Sequence, residues 1–206
     1  MSEYAVKGNT TFGSVVDEQL LVKDGKAVWK STSEQGQTAS NGGAMYVPLN
    51  STLEVVSIAI SAMAARNNGP LPLLPSGALS QRVLDEVQVT ANGKSAKVQL
   101  LAMTGLGLSP QFFWATTGAK PRLFAMVVPG FMTVAEEGWG AVGKELAERQ
   151  KTAEARLLKD VAARLQHKLE GLTVVKNVRV FDSEKAVLGA PSDVYVLRGR
   201  ITAVLL

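Results

Sequence analysis

EVQVTANGKSAKVQLL, residues 86–101, decides the fold class of this chain. Asn92-Gly93 readily takes the two positive φ angles of a two-residue primed turn, so Glu86–Ala91 and Ser95–Leu101 are expected to fold back on each other as an antiparallel hairpin. The same pattern recurs on both sides. Upstream, Lys23-Asp24-Gly25 separates Val15–Val22 from Lys26–Ser33 and predicts another hairpin, with Trp29 on a sheet face. Downstream, Phe112–Thr116 and Arg122–Val128 flank Thr117-Gly118-Ala119-Lys120, and Gly105 and Gly107 mark a tight turn before them. Gln35–Gly43 is rich in Gly, Ser and Asn and reads as a surface loop. Tyr46–Asn50 reads as a short extended piece limited by Pro48.

Two segments carry helical patterns. LEVVSIAISAMAAR (Leu53–Arg66) suits a largely buried helix with Ser51 or Thr52 as cap, Glu54 in its first turn, Arg66 in its last, and Asn67-Asn68-Gly69-Pro70 as a stop. The stretch PLPLLPSG that follows (Pro70–Gly77) is rigid and apolar and is expected to pack down. Glu137–Glu170 predicts a long amphipathic helix, with Val142, Leu146, Ala153, Leu157, Val161, Leu165 and Leu169 on one face. Glu145 with Arg149 and Asp160 with Arg164 are four apart and support its solvated side. The Leu146, Leu157, Val161, Leu165 face either packs on the chain's own sheet or docks onto a partner or a further domain. After Gly171, the runs Thr173–Val180, Asp193–Leu197 and Ile201–Leu205, the last two turning at Arg198-Gly199-Arg200, predict a short β segment. The expected class is α+β. An antiparallel sheet domain over residues 1–135 contains helix 53–66; a long amphipathic helix covers 136–171 and a β segment 172–206.

Composition narrows the function. With 206 residues, 46% hydrophobic and 19% charged, the chain has enough apolar surface for a sizeable core. It has no cysteine, which excludes disulfides, a thiolate nucleophile and cysteine-ligated metals. The richest apolar run, Leu53–Ala65, is interrupted by Glu54, Ser57 and Ser61 and is too short for a membrane span, so a soluble chain is expected. MSEYAVKG at the start has no basic-then-apolar leader pattern. The net charge of +4 is dispersed, and Trp29, Trp114 and Trp139 lack flanking basic clusters, so nucleic acid is not an expected partner.

Catalytic groups are sparse. The single histidine, His167, lies near the end of the predicted long helix, where a favourable dipole interaction accounts for it as well as a general-base role does. Asp17-Glu18, Asp85-Glu86 and Glu136-Glu137 are adjacent pairs whose members diverge on strand or helix, and they read as solvated element ends. No G-x-S-x-G elbow, Walker lysine or G-x-G-x-x-G loop is present; Leu74-Pro75-Ser76-Gly77 is only a turn. One apolar cluster stands out. Phe112, Phe113 and Trp114, with Phe124, Met126, Phe131 and Met132, can fill the core, make an interdomain contact or line a ligand pocket, and alternation assigns about half of them to the core.

Asn177-Val178-Arg179-Val180-Phe181-Asp182, followed by Asp193-Val194, Val196, Gly199-Arg200-Ile201 and Ala203-Val204, resembles the small β-subdomain that opens metal-dependent amidohydrolases. The region from Asp17 to Arg164 is similar to the extra N-terminal domain of some bacterial exported members. DEQLLVKDGKAVWKS (Asp17–Ser31), YVPLN (Tyr46–Asn50), LPLLPSG (Leu71–Gly77), GLGLSP (Gly105–Pro110) and EGW (Glu137–Trp139) carry that likeness. The resemblance implies a non-catalytic accessory region that packs on, or shapes access to, a (β/α)₈ barrel in cis or in trans. It places the family's divalent metal, such as zinc, and its ligands in that barrel, and implies a periplasmic or secreted location. No catalytic, cofactor or metal residue carries over onto this chain. The alternative is a free-standing module that binds an apolar ligand or a protein; homo-oligomerisation stays open under both readings.

Overall fold

The computed structural model describes residues 2–40, 43–67, 69–167 and 171–206. The chain forms two compact units, residues 1–156 and 157–206, divided within the long helix.

The first unit begins with a four-stranded antiparallel meander of β1 (Ser2–Asn9), β2 (Val15–Lys23), β3 (Lys26–Lys30) and β4 (Gln35–Ala39), in that spatial order. Asp24 and Gly25 take φ of 50° and 72°, the primed turn expected between β2 and β3. The strand β4 corrects the loop expected at Gln35–Gly43. Its composition suggested a loop, but strand propensity is set mainly by what the side chains pack against. Here the glycine is required: a Cβ on Gly36 would stand 2.5 Å from the Trp29 ring, so the absence of a side chain lets the indole lie across β4.

β5 (Met45–Tyr46), α1 (Leu53–Ala65), β6 (Leu71–Leu74), β7 (Ala78–Ala91), β8 (Lys94–Thr104), β9 (Gln111–Thr116), β10 (Leu123–Val128) and β11 (Met132–Ala135) follow. The strands form one sheet in the order β11-β10-β9-β8-β7-β6-β5, antiparallel except for the β5–β6 pair. The Asn92-Gly93 hairpin is its centre and is longer than the sequence suggested. Alternation along β8 makes two cores. Val98 and Leu100 pack with Trp114, Phe124 and Val127 beneath the first turns of α2 (Gly143–Leu165), whose Leu146 and Ala153 are buried there. Leu101 and Met103 pack on the opposite face with Phe113, Leu73 and Leu79 beneath Ala59, Ile60 and Met63 of α1. A third cluster joins Leu20, Ala27 and Trp29 of the meander to Tyr46 and Leu74.

Several expectations are refined. The helix α1 buries one face only, with Ile58 exposed. Thr52 occupies its N-cap position without a side-chain cap bond, and Arg66 is its C-cap, donating from Nε to the Pro70 carbonyl at 3.3 Å. Pro70–Gly77 does pack down: Leu71, Leu73 and Leu74 are buried. β11 was not anticipated; it pairs with β10 after the Pro129-Gly130 turn. The long helix does not begin at Glu137. Gly138 is left-handed (φ 86°), Trp139 packs edge-on against Phe124 at 5.1 Å, and a 3₁₀ turn over Gly140–Val142 leads into α2. α2 ends at Leu165; the expected Leu169 and Glu170 lie outside the described residues. Arg149, expected to face Glu145, instead forks onto Asp85 at 2.9 and 3.0 Å.

In the second unit β12 (Leu172–Asp182), β13 (Val187–Leu197) and β14 (Arg200–Leu205) form a three-stranded antiparallel sheet in that order. Arg198 and Gly199, with φ of 52° and 75°, make the expected turn. Among the described residues of this unit no apolar side chain is buried; Ser192 alone reaches that state.

Candidate functional site

Strand alternation puts Val16, Glu18 and Leu20 on the inward side of β2, with Asp17 outward beside Lys7 at 3.5 Å. Glu18 is therefore a carboxylate at 1% exposure, and the reading of Asp17-Glu18 as a solvated pair holds for Asp17 only. Its partners are uncharged donors. Oε1 accepts from the Tyr46 hydroxyl at 2.6 Å and from Leu49 N–H at 2.9 Å, while Oε2 accepts from Asn50 N–H at 3.4 Å. The Tyr4 hydroxyl donates to the Asn50 carbonyl at 3.4 Å, and Val47 N–H donates to the Leu74 carbonyl at 2.9 Å. Residues 46–50 are thus tied along their length to the meander and to β6. Burial, then the hydrogen bond to Glu18 and the charge behind it, push the Tyr46 phenol far above its ordinary value. Burial and the Glu18 charge raise Tyr4 in the same direction.

The same segment forms one wall of a cleft of about 260 Å³. Val47, Pro48 and Leu49 line it together with Val55, Val56 and Ala59 of α1 and with Leu73, Leu79 and Met103 of the sheet. Ser51 and Gln111 supply polar groups, and among the described residues none that lines it is charged. Chemically this is a neutral apolar recess with hydrogen-bonding groups among its lining residues. Its main signal was present in the sequence: Glu18 falls in register with Val16 and Leu20, the positions that turn inward.

The apolar cluster singled out from the sequence is split: Phe112, Trp114 and Phe124 meet in one core, while Met126 and Phe131 lie elsewhere. Trp114 and Phe124 are fully buried beneath α2, with Phe112 half-buried beside them. Met126 packs on the α1 face, and Phe131 is 81% exposed in the turn before β11. Trp114 is core for a specific reason: its Nε1–H donates to the buried Gln150 amide oxygen at 3.2 Å, and Gln150 Nε2 donates to the Val127 carbonyl at 3.0 Å. On α2, Leu146 is buried, Leu157 and Val161 are half-buried and Leu165 is exposed. His167 lies two residues beyond the last residue of the helix, near its C-terminal end, and is exposed. Among the described residues no group of three or more His, Asp or Glu is placed to hold a metal ion. Among the described residues no helix is long and apolar enough to cross a membrane.

No family model, curated protein or solved structure matches this chain.

Proposed function

We propose that this chain is a non-catalytic accessory region that packs against a further protein domain. The carrying observation is the β12-β13-β14 sheet. Cross-strand pairing aligns Val175, Val194 and Val204 on one face and Val174, Tyr195 and Ala203 on the other, and Leu172, Phe181, Leu188 and Ile201 are all exposed. A sheet with apolar side chains on both faces gains its stability by burying them, and exposed contiguous apolar surface marks interaction sites.

The resemblance is the ground for choosing among partners. Asn177–Asp182 lies on β12, and Asp193–Val204 runs along β13, its turn and β14, so the similar residues occupy adjacent strands. The partner favoured on this ground is an amidohydrolase-type barrel, in the same polypeptide or a separate one. Its divalent metal and histidine ligands belong to that barrel, and a periplasmic or secreted location goes with the same reading. The role of the present chain is to pack on the barrel and shape access to it.

The native mass of the species carrying these residues tests the proposal. A larger polypeptide, or a tightly co-purifying one rich in metal-binding histidines, is the expected result. A lone, monodisperse monomer near 21.8 kDa would sink it.

A further inference from the structure

We infer that the cleft between α1 and residues 46–50 is a binding site for a small neutral ligand of aromatic-fragment size that carries a hydrogen-bonding group. Its volume, about 260 Å³, lies just below the ~300–1,000 Å³ of sites that take drug-sized molecules, which fixes the ligand as a fragment. The charge of the ligand follows from the lining. Among the described residues no acid or base lines the cleft, so an ion entering it would lose hydration without a counter-charge. Ser51 and Gln111 are lining residues able to pair a hydroxyl or amine, while the apolar body lies on Leu73, Leu79 and Met103.

The second observation is how the outer wall is held. A loop lined by Val47, Pro48 and Leu49 would bury more apolar surface by collapsing onto α1. Glu18, Tyr4 and the Leu74 carbonyl hold it from behind, through bonds to the Tyr46 side chain and to the backbone of Val47, Leu49 and Asn50. The wall is therefore anchored by groups that do not themselves line the cleft, and the recess is part of the folded state before any ligand arrives. Preorganisation of that kind lowers the cost of binding. This inference stands apart from any barrel partner, since its residues all belong to the first unit.

The methionines provide a built-in reporter. Met45 and Met103 line the cleft, whereas Met126 and Met132 do not. The full chain, carrying isotope-labelled methionine methyls, is titrated with 1-naphthol and, separately, with its charged analogue 1-naphthalenesulfonate. Saturable shifts of Met45 and Met103 with 1-naphthol, still Met126 and Met132 signals, and at least about tenfold weaker response to the sulfonate are expected. Val55→Phe, which fills the cleft from α1, and Ser51→Trp, which blocks it from an exposed position without touching the core, should each abolish the shifts while the remaining methyl spectrum stays folded. The inference is overturned if 1-naphthol moves no cleft methyl up to its solubility limit. It is equally overturned if all methyls move together, if the sulfonate acts as strongly, or if a folded Ser51→Trp protein responds unchanged.

Discussion

Glu18 shows how one residue on the inward side of a strand organises its surroundings. A buried carboxylate loses hydration, and here it recovers interaction from a phenol and two backbone amides. Glu18→Leu leaves the Tyr46 hydroxyl and the Leu49 amide facing an apolar side chain, so a loss of about 2–4 kcal/mol is expected in denaturant unfolding. Tyr46→Phe, which keeps the Leu49 bond, should cost about 1.5–3 kcal/mol, the range for a hydrogen bond to a charged group. The double variant should cost less than the two singles together, by roughly 0.5–3 kcal/mol, because both remove the same contact. The phenols also set a pH response. Tyr46 and Tyr4 have folded pKa values raised above the unfolded value of about 10. Their contribution is therefore fully present below pH 10. It is lost as the pH rises towards the folded values, because the unfolded chain then releases protons that the folded chain retains. Melting temperatures measured between pH 9 and 11.5 should fall, and the fall should be shallower in Tyr46→Phe; a flat wild-type profile would contradict the assignment.

Whole elements were legible wherever turn chemistry spoke clearly. Asp24-Gly25, Asn92-Gly93 and Arg198-Gly199 each placed a hairpin, because two adjacent positive φ angles are a demand few dipeptides meet. β4 was hidden because its pairing depends on β3 and on the fit of Trp29 over Gly36, neither of which local composition records. Gly36→Val should therefore cost about 1–3 kcal/mol by overpacking, although valine is the better strand former, and chemical denaturation would register the sign. The start of α2 lies six residues beyond the expected Glu137, since Gly138 turns the chain left-handed after Glu137 and a 3₁₀ turn takes up Val142, the first apolar position of the expected face. The candidate site was half legible. Strand alternation contained the inward turn of Glu18, but the cleft is built from β5, α1, β6, β7, β8 and β9, and no single segment encodes such a meeting. Within α2, Gln150 shows that a buried polar residue can be a structural part. Gln150→Leu strands the Trp114 N–H and the Val127 carbonyl, and should lower stability by about 1–3 kcal/mol despite adding apolar volume.

At the scale of the molecule the two units differ in how their stability is supplied. Residues 1–156 bury three apolar clusters, whereas the described residues of 157–206 bury no apolar side chain. A charge placed in the first set must therefore act on folding, whereas a charge at an exposed apolar position of the second should leave folding nearly unchanged. Leu146→Asp puts an unpaired carboxylate into a fully buried position and should cost several kcal/mol, on the order of 3–5, enough to unfold most of the population. Ile201→Lys, at a side chain 68% exposed, should change the melting free energy by no more than about 0.5 kcal/mol. If β12-β13-β14 is the docking surface, that same Ile201→Lys chain should lose its partner in co-purification while its melting curve stays put. Val204→Lys on the same strand should repeat the result. Leu157→Lys and Val161→Lys, at half-buried positions on α2, separate the remaining alternatives: a drop in melting temperature assigns that helical face to packing, and unchanged melting with lost association extends the docking surface along the helix. Unchanged association in both the strand and the helix variants would leave the exposed apolar side chains without the partner proposed for them.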